Sequence, residues 1–316
     1  MNHKTKNVIK KVFFKNPLGV KIYKLAAAIM RKRRSGMSDE EYVLNAYLEN
    51  NGITLNLKEP KTFNEKLLWI SLHDHDPLKT VCADKYSVRK FIEEKGHGHI
   101  LNELYATYGS VEEIEYHKLP QVFFMKTNHD SGTYALVDQS APNTVKKAEA
   151  IMRNALQKNY YYESREWQYK DIKPLIICEK YIDEAAENGL LDYRFFCFNG
   201  KVGFVAVDMG TTDPSGKHAY DAKRNLYSRD FEVLEAKLKR EHFDPKLLKK
   251  PDNFGEMVKI AEDLAKPFVH VRVDLYNVNG KIIFGEMTFC NGGGMQRLTP
   301  DAFNLEIGAL MDISGV

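Results

Sequence analysis

An Asn-Gly dipeptide between two apolar runs is a strong signal for a tight antiparallel hairpin, because both residues tolerate the positive φ of a type I′ turn. This chain has two, Asn199-Gly200 and Asn279-Gly280. The first joins Asp192-Tyr-Arg-Phe-Phe-Cys-Phe198 to Lys201–Val207. The second joins the strand holding Arg272-Val-Asp274 to the one holding Phe284-Gly-Glu286-Met-Thr288. Each strand of the second hairpin carries one carboxylate, Asp274 and Glu286. Side by side on one face they offer the hard oxygens that Mg²⁺ requires. The polar-glycine run Asn291-Gly-Gly-Gly294 follows directly. Metal and phosphate are expected here.

Upstream, the apolar spacing predicts alternating helices and strands. Residues 39–72 read as helical, with Thr62-Phe-Asn-Glu65 as a capping box ahead of Leu67, Leu68, Trp69, Ile70 and Leu72. Asp84–Lys95 reads as another helix, with Val88, Phe91 and Ile92 on one side and Gly96 as its stop. Gln121–Lys126 reads as a buried strand, a polar loop runs through Gly132, and Tyr134–Val137 returns as a strand, which suits a flap over a ligand. Thr144–Leu156 and Gly255–Lys266 have the spacing of amphipathic helices, and Pro174–Ile182 that of an apolar strand ending in charge. Asp208–Asn253 is polar and lysine-rich, and reads as substrate-facing loops and surface helix rather than core.

With 316 residues, 43% of them hydrophobic and 28% charged, the chain can bury a sizeable core. Its four cysteines, Cys82, Cys178, Cys197 and Cys290, are far apart and form no CxxC pair, so inert thiols in a reduced cytoplasmic protein are expected. No apolar run reaches the roughly 20 residues that span a bilayer, and no secretion signal opens the chain. Charge is unevenly distributed. Residues 1–38 hold eleven bases and no acid, leaving 35 of the 46 bases against all 43 acids, a net −8, in the remainder. Apolar residues such as Val12, Phe13, Leu18, Ile22 and Leu25 interleave with these bases. Residues 1–34 read equally as an interfacial helix drawn to anionic lipid at the inner face of the membrane and as a solvated basic arm. No recognition module accompanies the charge, so nucleic acid is not an expected partner.

Five motifs arrive in a fixed order: KTFNEKLLWI, ADKYSVRKFI, FFMKTNHDSG, DYRFFCFNGK and VRVDLYNVNGKIIFGEMTF. In this order they resemble the ATP-grasp superfamily, specifically its TupA-like branch associated with bacterial surface polysaccharides, over roughly residues 60–316. The resemblance implies an α+β (α/β) ATP-grasp fold with two lobes, 84–180 and 181–316, clasping a nucleotide. A helical segment over 39–83 and the basic arm over 1–38 precede them. It implies ATP and Mg²⁺ as cofactors, a carboxylate substrate (a uronic acid or an amino acid) and an amine.

Residue by residue, the resemblance gives Lys85 and Lys126 to the nucleotide phosphates, as point charges. The loop from Thr127 to Gly132, with Ser131 and Gly132, would fold over them. Glu179, Lys180 and Tyr181 would form the hinge that reads adenine and holds ribose. Arg194 and Arg272 would clamp the γ-phosphate or an acyl phosphate, since a guanidinium forks onto two oxygens. Asp274 and Glu286 would carry Mg²⁺. Many ATP-grasp enzymes have Glu-x-Asn where this chain has Glu286-Met-Thr288; Thr288 or Asn291 would supply the missing oxygen. Glycines 292–294 would let backbone approach the acceptor, and Arg297 would meet a carboxylate.

Plainer readings stand beside these. Lys126 reads also as an edge-strand charge, Asp274 and Glu286 as half of an ion-pair network with Arg272 and Lys281, and Arg194 as a partner of Asp192. His129 would donate to an oxyanion or be solvated. His73/His75 and His97/His99 read as surface loops, not zinc pairs. Two other functions remain open: a glycosyltransferase-like enzyme, whose acids would hold a nucleotide-sugar metal, and a non-catalytic nucleotide-binding regulator.

Overall fold

The structure is a computed structural model that describes residues 36–182, 190–210 and 222–316. The basic arm lies almost wholly outside the described residues. Two compact units divide the chain, 1–46 and 47–316. The described part of the first is the start of helix α1 (Asp39–Asn51), where the Ser38 hydroxyl accepts from the Glu41 N–H at 3.2 Å. The helix expected over 39–72 is in fact two, because Gly52 turns left-handed (φ +73°) and the chain stays irregular up to Thr62. The second is α2 (Phe63–His73), opened by the expected capping box: Thr62 Oγ1 accepts from the Glu65 N–H, and Glu65 Oε2 from the Thr62 N–H at 3.0 Å.

The next expected helix, Asp84–Lys95, is also corrected. α3 (Pro77–Ala83) begins on proline with an Asp76 cap, and α4 (Val88–Glu94) follows, with Asp84 standing between them. The Asp84 carboxylate accepts from the Tyr86 N–H at 2.8 Å and the Ser87 hydroxyl at 2.7 Å. Such side-chain bonding to nearby backbone favours a turn over a helix.

Two antiparallel sheets carry the rest. The first, in the order β1–β4–β2–β3, consists of β1 (Leu104–Tyr108), β2 (Val122–Thr127), β3 (Tyr134–Asp138) and β4 (Ile176–Glu179). α5 (Pro142–Leu156) packs Ala148 and Met152 beneath it, and the short α6 (Tyr161–Ser164) follows. The second sheet runs β11–β10–β5–β6–β7–β8 and uses β5 (Asp192–Phe198), β6 (Lys201–Met209), β7 (Lys223–Tyr227), β8 (Val233–Leu234), β10 (His270–Val278) and β11 (Lys281–Thr288). A small ribbon pairs β9 (Lys237–Leu238) with β12 (Leu298–Thr299), and α8 (Asp301–Ala309) closes the chain. β7 corrects the surface reading of 208–253: Arg224, Asn225, Leu226 and Tyr227 are all buried within the sheet.

One face of the second sheet is apolar. α7 (Phe254–Ala265) lays Met257, Ile260, Ala261 and Leu264 against Phe195, Cys197, Val205, Val271 and Val273. The other face is split along the strands. At one end Phe63 stands edge-on to Phe196, Phe198 and Phe204, with ring centroids 6.0–6.5 Å away. His270 joins this cluster, and burial pushes its imidazole down to about 3, so it is neutral. Charged residues gather at the opposite end. All four cysteines are free and buried, and burial raises their thiols, as inert packing requires.

Candidate active site

Both hairpins of the second sheet turn on the expected Asn-Gly pairs, at φ 46° and 76° for Asn199 and Gly200 and 52° and 84° for Asn279 and Gly280. Strict pairing outward from Val278 and Lys281 would set Asp274 against Gly285. Instead a bulge leaves Gly285 extra, and Asp274 pairs with Glu286. Paired residues share a face, so the bulge brings the two carboxylates together. A Cβ on Gly285 would meet the Asp274 carbonyl at 3.1 Å and the Tyr276 ring at 3.3 Å. The β5–β6 hairpin repeats the device. Gly203 is the extra residue there, and Asp192 comes to face Asp208.

Arg272 lies between Asp274 and Glu286. Its Nε and Nη2 donate to Asp274 Oδ1 and Oδ2, both at 2.6 Å, and Nη2 also donates to Glu286 Oε1 at 2.7 Å. Nη1 donates to Asn291 Oδ1. Thr288 Oγ1 donates to Glu286 Oε1 at 3.1 Å. The ion-pair reading of Asp274 and Glu286 is thus present through Arg272, whereas Lys281 sits at the far end of the hairpin opposite Val278. Burial pushes the Asp274 carboxyl up to about 7, with Arg272 opposing and Asp192 adding to the rise. Burial also acts on Glu286, but Arg272 and Lys85 prevail and hold it below the usual carboxylate range.

Arg194 bonds to Asp192, as its plainer reading held, with Nε 2.8 Å from Asp192 Oδ2. It also reaches further. Nη2 is 3.3 Å from Asp208 Oδ2, and Nε is 3.8 Å from Asp274 Oδ2. Asp208, fully buried, accepts from Arg224 and from Arg240 Nη1 at 2.9 Å. Burial opposes its ionisation, yet the three guanidiniums pull its carboxyl down to about 2.

On the first sheet, Lys126 of β2 and Glu179 of β4 form an ion pair at 2.7 Å, with Arg89 3.7 Å from the other Glu179 oxygen. The Lys180 N–H donates to Glu103 O, and its carbonyl accepts from Asn102 Nδ2, both at 2.9 Å; Tyr181 follows, half-buried. The loop after β2 is pinned by Asp130, whose carboxylate accepts from Thr127 Oγ1 and Thr133 Oγ1 at 2.5 Å each. Its tip, Ser131 and Gly132, is exposed, with Gly132 at φ +83°. Lys85 Nζ donates to Asp130 O and lies in the field of Glu286, Asp130 and Lys126. Lys85 therefore links the two sheets' charged groups.

The profile of the family described as "TupA-like ATPgrasp" matches residues 65–312. The chain belongs to that family. Membership places it in the ATP-grasp group, and its α+β fold of two antiparallel sheets accords with that. Three solved structures similar to this TupA-like chain are ligases. The D-alanine–D-alanine ligase of Bacillus anthracis complexed with ATP is 17% identical, with TM-score 0.39, over 66% of this chain and 55% of that one. That of Helicobacter pylori is 13% identical, with TM-score 0.40, over 75% and 60%. The L-amino acid ligase of Bacillus licheniformis is 14% identical, with TM-score 0.41, over 73% and 49%. The TupA-like chain thus spans less than two thirds of the length of each. Among curated proteins none matches.

The donor set of the TupA-like site fits Mg²⁺ in kind: two carboxylates, the Asn291 amide oxygen and the Thr288 hydroxyl are all hard oxygens. Three of these residues, Asp274, Glu286 and Asn291, already converge on one cation, the Arg272 guanidinium. No cluster of three or more His, Cys, Asp or Glu side chains suited to a metal occurs among the described residues, so a Mg²⁺ ion held here would draw on neutral oxygens as well.

Two sequence expectations are corrected here, and other residues singled out in the sequence find partners within the fold. His129 is neither solvated nor turned to a ligand; it is buried, with Nε2 3.3 Å from Ala155 O and Nδ1 3.3 Å from Asn128 Oδ1. Gly294 is explained by packing, since a Cβ there would run into Leu68 of α2. Arg297 pairs with Asp301. His73 ends α2 rather than lying in a loop and stacks on Trp69, and His97 Nε2 lies 2.9 Å from Asp263. Sequence reasoning also missed Arg89, Asp208, Arg224, Arg240 and Glu166. Glu166 is buried in the field of Arg272 and Glu286, and burial pushes it up to about 8. The only signal for it was a charge within the aromatic-rich stretch from Tyr160 to Tyr169.

Proposed function

We propose that the chain is an ATP- and Mg²⁺-dependent carboxylate–amine ligase of bacterial surface-polysaccharide assembly, with the nucleotide between lobes 84–180 and 181–316. A substrate carboxylate oxygen attacks the γ-phosphorus, the β–γ bridging bond breaks, and ADP leaves. The amine nitrogen then attacks the acyl carbon, phosphate departs, and the amine gives up a proton as the amide forms. The carboxylate belongs to a uronic acid or an amino acid. The observation that carries this reading is the bulged pairing of Asp274 with Glu286 around a cation, with Lys85 close enough for its charge to act on Glu286.

In this reading Lys85 and Lys126 hold phosphate oxygens, with Lys126 exchanging Glu179 for the nucleotide. Ser131 and Gly132 lie over the phosphates, and Glu179, Lys180 and Tyr181 flank adenine and ribose. Arg194 and Arg272 stabilise negative charge on the transferring phosphoryl group. Asp274 and Glu286 would hold Mg²⁺, with Asn291 and Thr288 as neutral donors. When bound, Mg²⁺ would supply positive charge to offset the negative charge that develops during phosphoryl transfer. Positioning and charge suffice, so no protein nucleophile is required.

The test is ADP release over a panel of uronic acids and amino acids paired with amines. Asp274→Asn and Glu286→Gln should each lower it by at least about 100-fold, the scale of losing one preorganised electrostatic contact, with an unchanged circular dichroism spectrum. Full activity in both variants would remove the metal assignment. Tight ATP binding with no turnover on any pair would mark the chain as a regulator instead. For residues 1–34 we propose peripheral contact with anionic membrane. Their deletion should abolish a salt-sensitive partitioning onto anionic liposomes, and unchanged partitioning dismisses the contact.

A further inference from the structure

Asn128 stands directly after β2, at the root of the loop that leads to Ser131 and Gly132, and it is fully buried. A buried amide must satisfy two donors and an acceptor. Here all three are met. Oδ1 accepts from the Leu175 N–H at 2.7 Å, and Nδ2 donates to Lys173 O at 3.0 Å, both on the segment that enters β4. The second Nδ2 hydrogen goes elsewhere, to Asp84 Oδ1 at 2.9 Å, 44 residues away along the chain. Only one orientation of the amide serves this set, because the Leu175 N–H requires an acceptor while Lys173 O and the Asp84 carboxylate require donors. Aspartate could not replace it, since a carboxylate has no donor and would face Asp84 with like charge.

Asp84 turns the chain between α3 and α4, and Lys85 follows it. Each of these helices has only seven residues, so neither fixes the turn by its own length. The turn is held from outside. Besides the side-chain bond to Asp84, the Asn128 carbonyl accepts from the Lys85 N–H at 3.2 Å, and the Asn128 N–H donates to Leu175 O at 3.1 Å. One residue therefore grips two consecutive residues of the turn while it is itself gripped by the entry to β4. From this anchored backbone the Lys85 side chain runs to Asp130 O, in the field of Glu286. A flexible four-carbon stem gives an ammonium no fixed place of its own, so its reach is set by where the backbone of Lys85 is held.

We infer that Asn128 is a positioning residue for Lys85: it fixes the turn of Asp84 and Lys85 against the root of the phosphate loop, so that loop and ammonium meet a triphosphate as one unit. Asn128 touches no substrate itself. The meaning for nucleotide binding rests on the ligase reading, whereas the holding of Lys85 does not. Two residues that act through one another are not additive, so the loss of affinity on removing the amide should disappear once Lys85 is gone.

The experiment is a double-mutant cycle read by calorimetric titration of the full chain with the β,γ-imido analogue of ATP and Mg²⁺. Asn128→Ala should weaken the analogue by about tenfold in the otherwise unchanged chain and by no more than about twofold in Lys85→Ala. A merely structural role would lower affinity equally in both. The second readout needs no nucleotide: acetylation of individual lysines by acetic anhydride, followed by peptide mass. Lys85 should react about fivefold faster in Asn128→Ala than in the unsubstituted chain, relative to Lys90, whose side chain is 82% exposed and serves as the internal standard. If Asn128→Ala loses its cooperative melt, Asp84→Ala removes the other end of the same bond and takes both readings. Unchanged acetylation of Lys85, or equal loss of affinity in the two backgrounds, overturns the inference. An unsubstituted chain that binds no analogue sinks the ligase reading alone, and acetylation then decides whether Asn128 holds Lys85.

Discussion

The two hairpins of the second sheet are built alike and end differently. Each turns on Asn-Gly, each carries one extra glycine, and each thereby sets two carboxylates face to face, Asp192 with Asp208 and Asp274 with Glu286. The β5–β6 pair is met by three guanidiniums, which pull the carboxyl of its fully buried member, Asp208, down to about 2 against the effect of burial. In the β10–β11 pair, Asp274 is spanned closely by Arg272 alone, and burial lifts it to about 7. Similar backbone geometry thus gives two electrostatic states. Full compensation makes a carboxylate part of the framework, while incomplete compensation leaves one that a further cation stabilises.

The sharpest way to break this comparison is to remove each acid. Asp208→Ala leaves the Arg224 guanidinium buried without its carboxylate and takes one partner from Arg194 and Arg240, and it should destabilise the fold by about 3–5 kcal/mol, the usual penalty for halving a buried ion pair. Asp274→Asn keeps an acceptor for Arg272 and should shift the urea midpoint little. Equal losses in the two variants would erase the distinction.

Titration sharpens it further. Asp274 has a folded value near 7, above the roughly 3.9 of an unfolded aspartate, so its contribution to stability is complete below about pH 3.9 and is lost as pH rises through 7. Asp208 runs the other way: its contribution is present above about pH 3.9 and is lost as pH falls through about 2. Mg²⁺ should therefore raise the melting temperature more at pH 8 than at pH 5, and chelation should reverse the gain. The preference for alkaline pH should vanish in Asp274→Asn; if it persists, another group controls the ion.

The smallest effects test the two bulges. Gly203→Ala drives a Cβ to 2.6 Å from the Phe198 ring and should lower stability by about 1–3 kcal/mol, as overpacking does. Gly285→Ala meets its neighbours at 3.1–3.3 Å, a milder clash. It should lower ADP release more than stability. The reverse ranking in chemical denaturation would mean that the bulges do not differ as described.

Both hairpins were legible because Asn-Gly has one comfortable turn geometry, and Lys126, Glu179, Asp274 and Glu286 were legible as charges interrupting apolar runs. Side-chain facing was less secure. Counting from Asn279-Gly280 alone puts Glu286 on the wrong face, and nothing local to Gly285 announces the extra residue. β7 was misread because Lys223, Arg224 and Asn225 look like surface. Arg224 is buried because Asp208 of β6 neutralises it, and Asn225 because the Phe243 carbonyl accepts from it at 3.0 Å. His129 was misread for the same reason: its acceptor lies on α5, 26 residues along the chain. Partners distant in sequence decide whether a polar residue may be buried, and periodicity does not see them.

The glycine at 285 has an evolutionary corollary. Whether the hairpin sets these two acids on one face depends on a residue count, so a single-codon insertion at that point, with the one-residue bulge kept, would rotate Glu286 into the hydrophobic layer opposite Val273 while every acidic letter stays in place. Lineages can therefore switch this chemistry off by length alone, and an inventory of retained acids would score such a chain as intact.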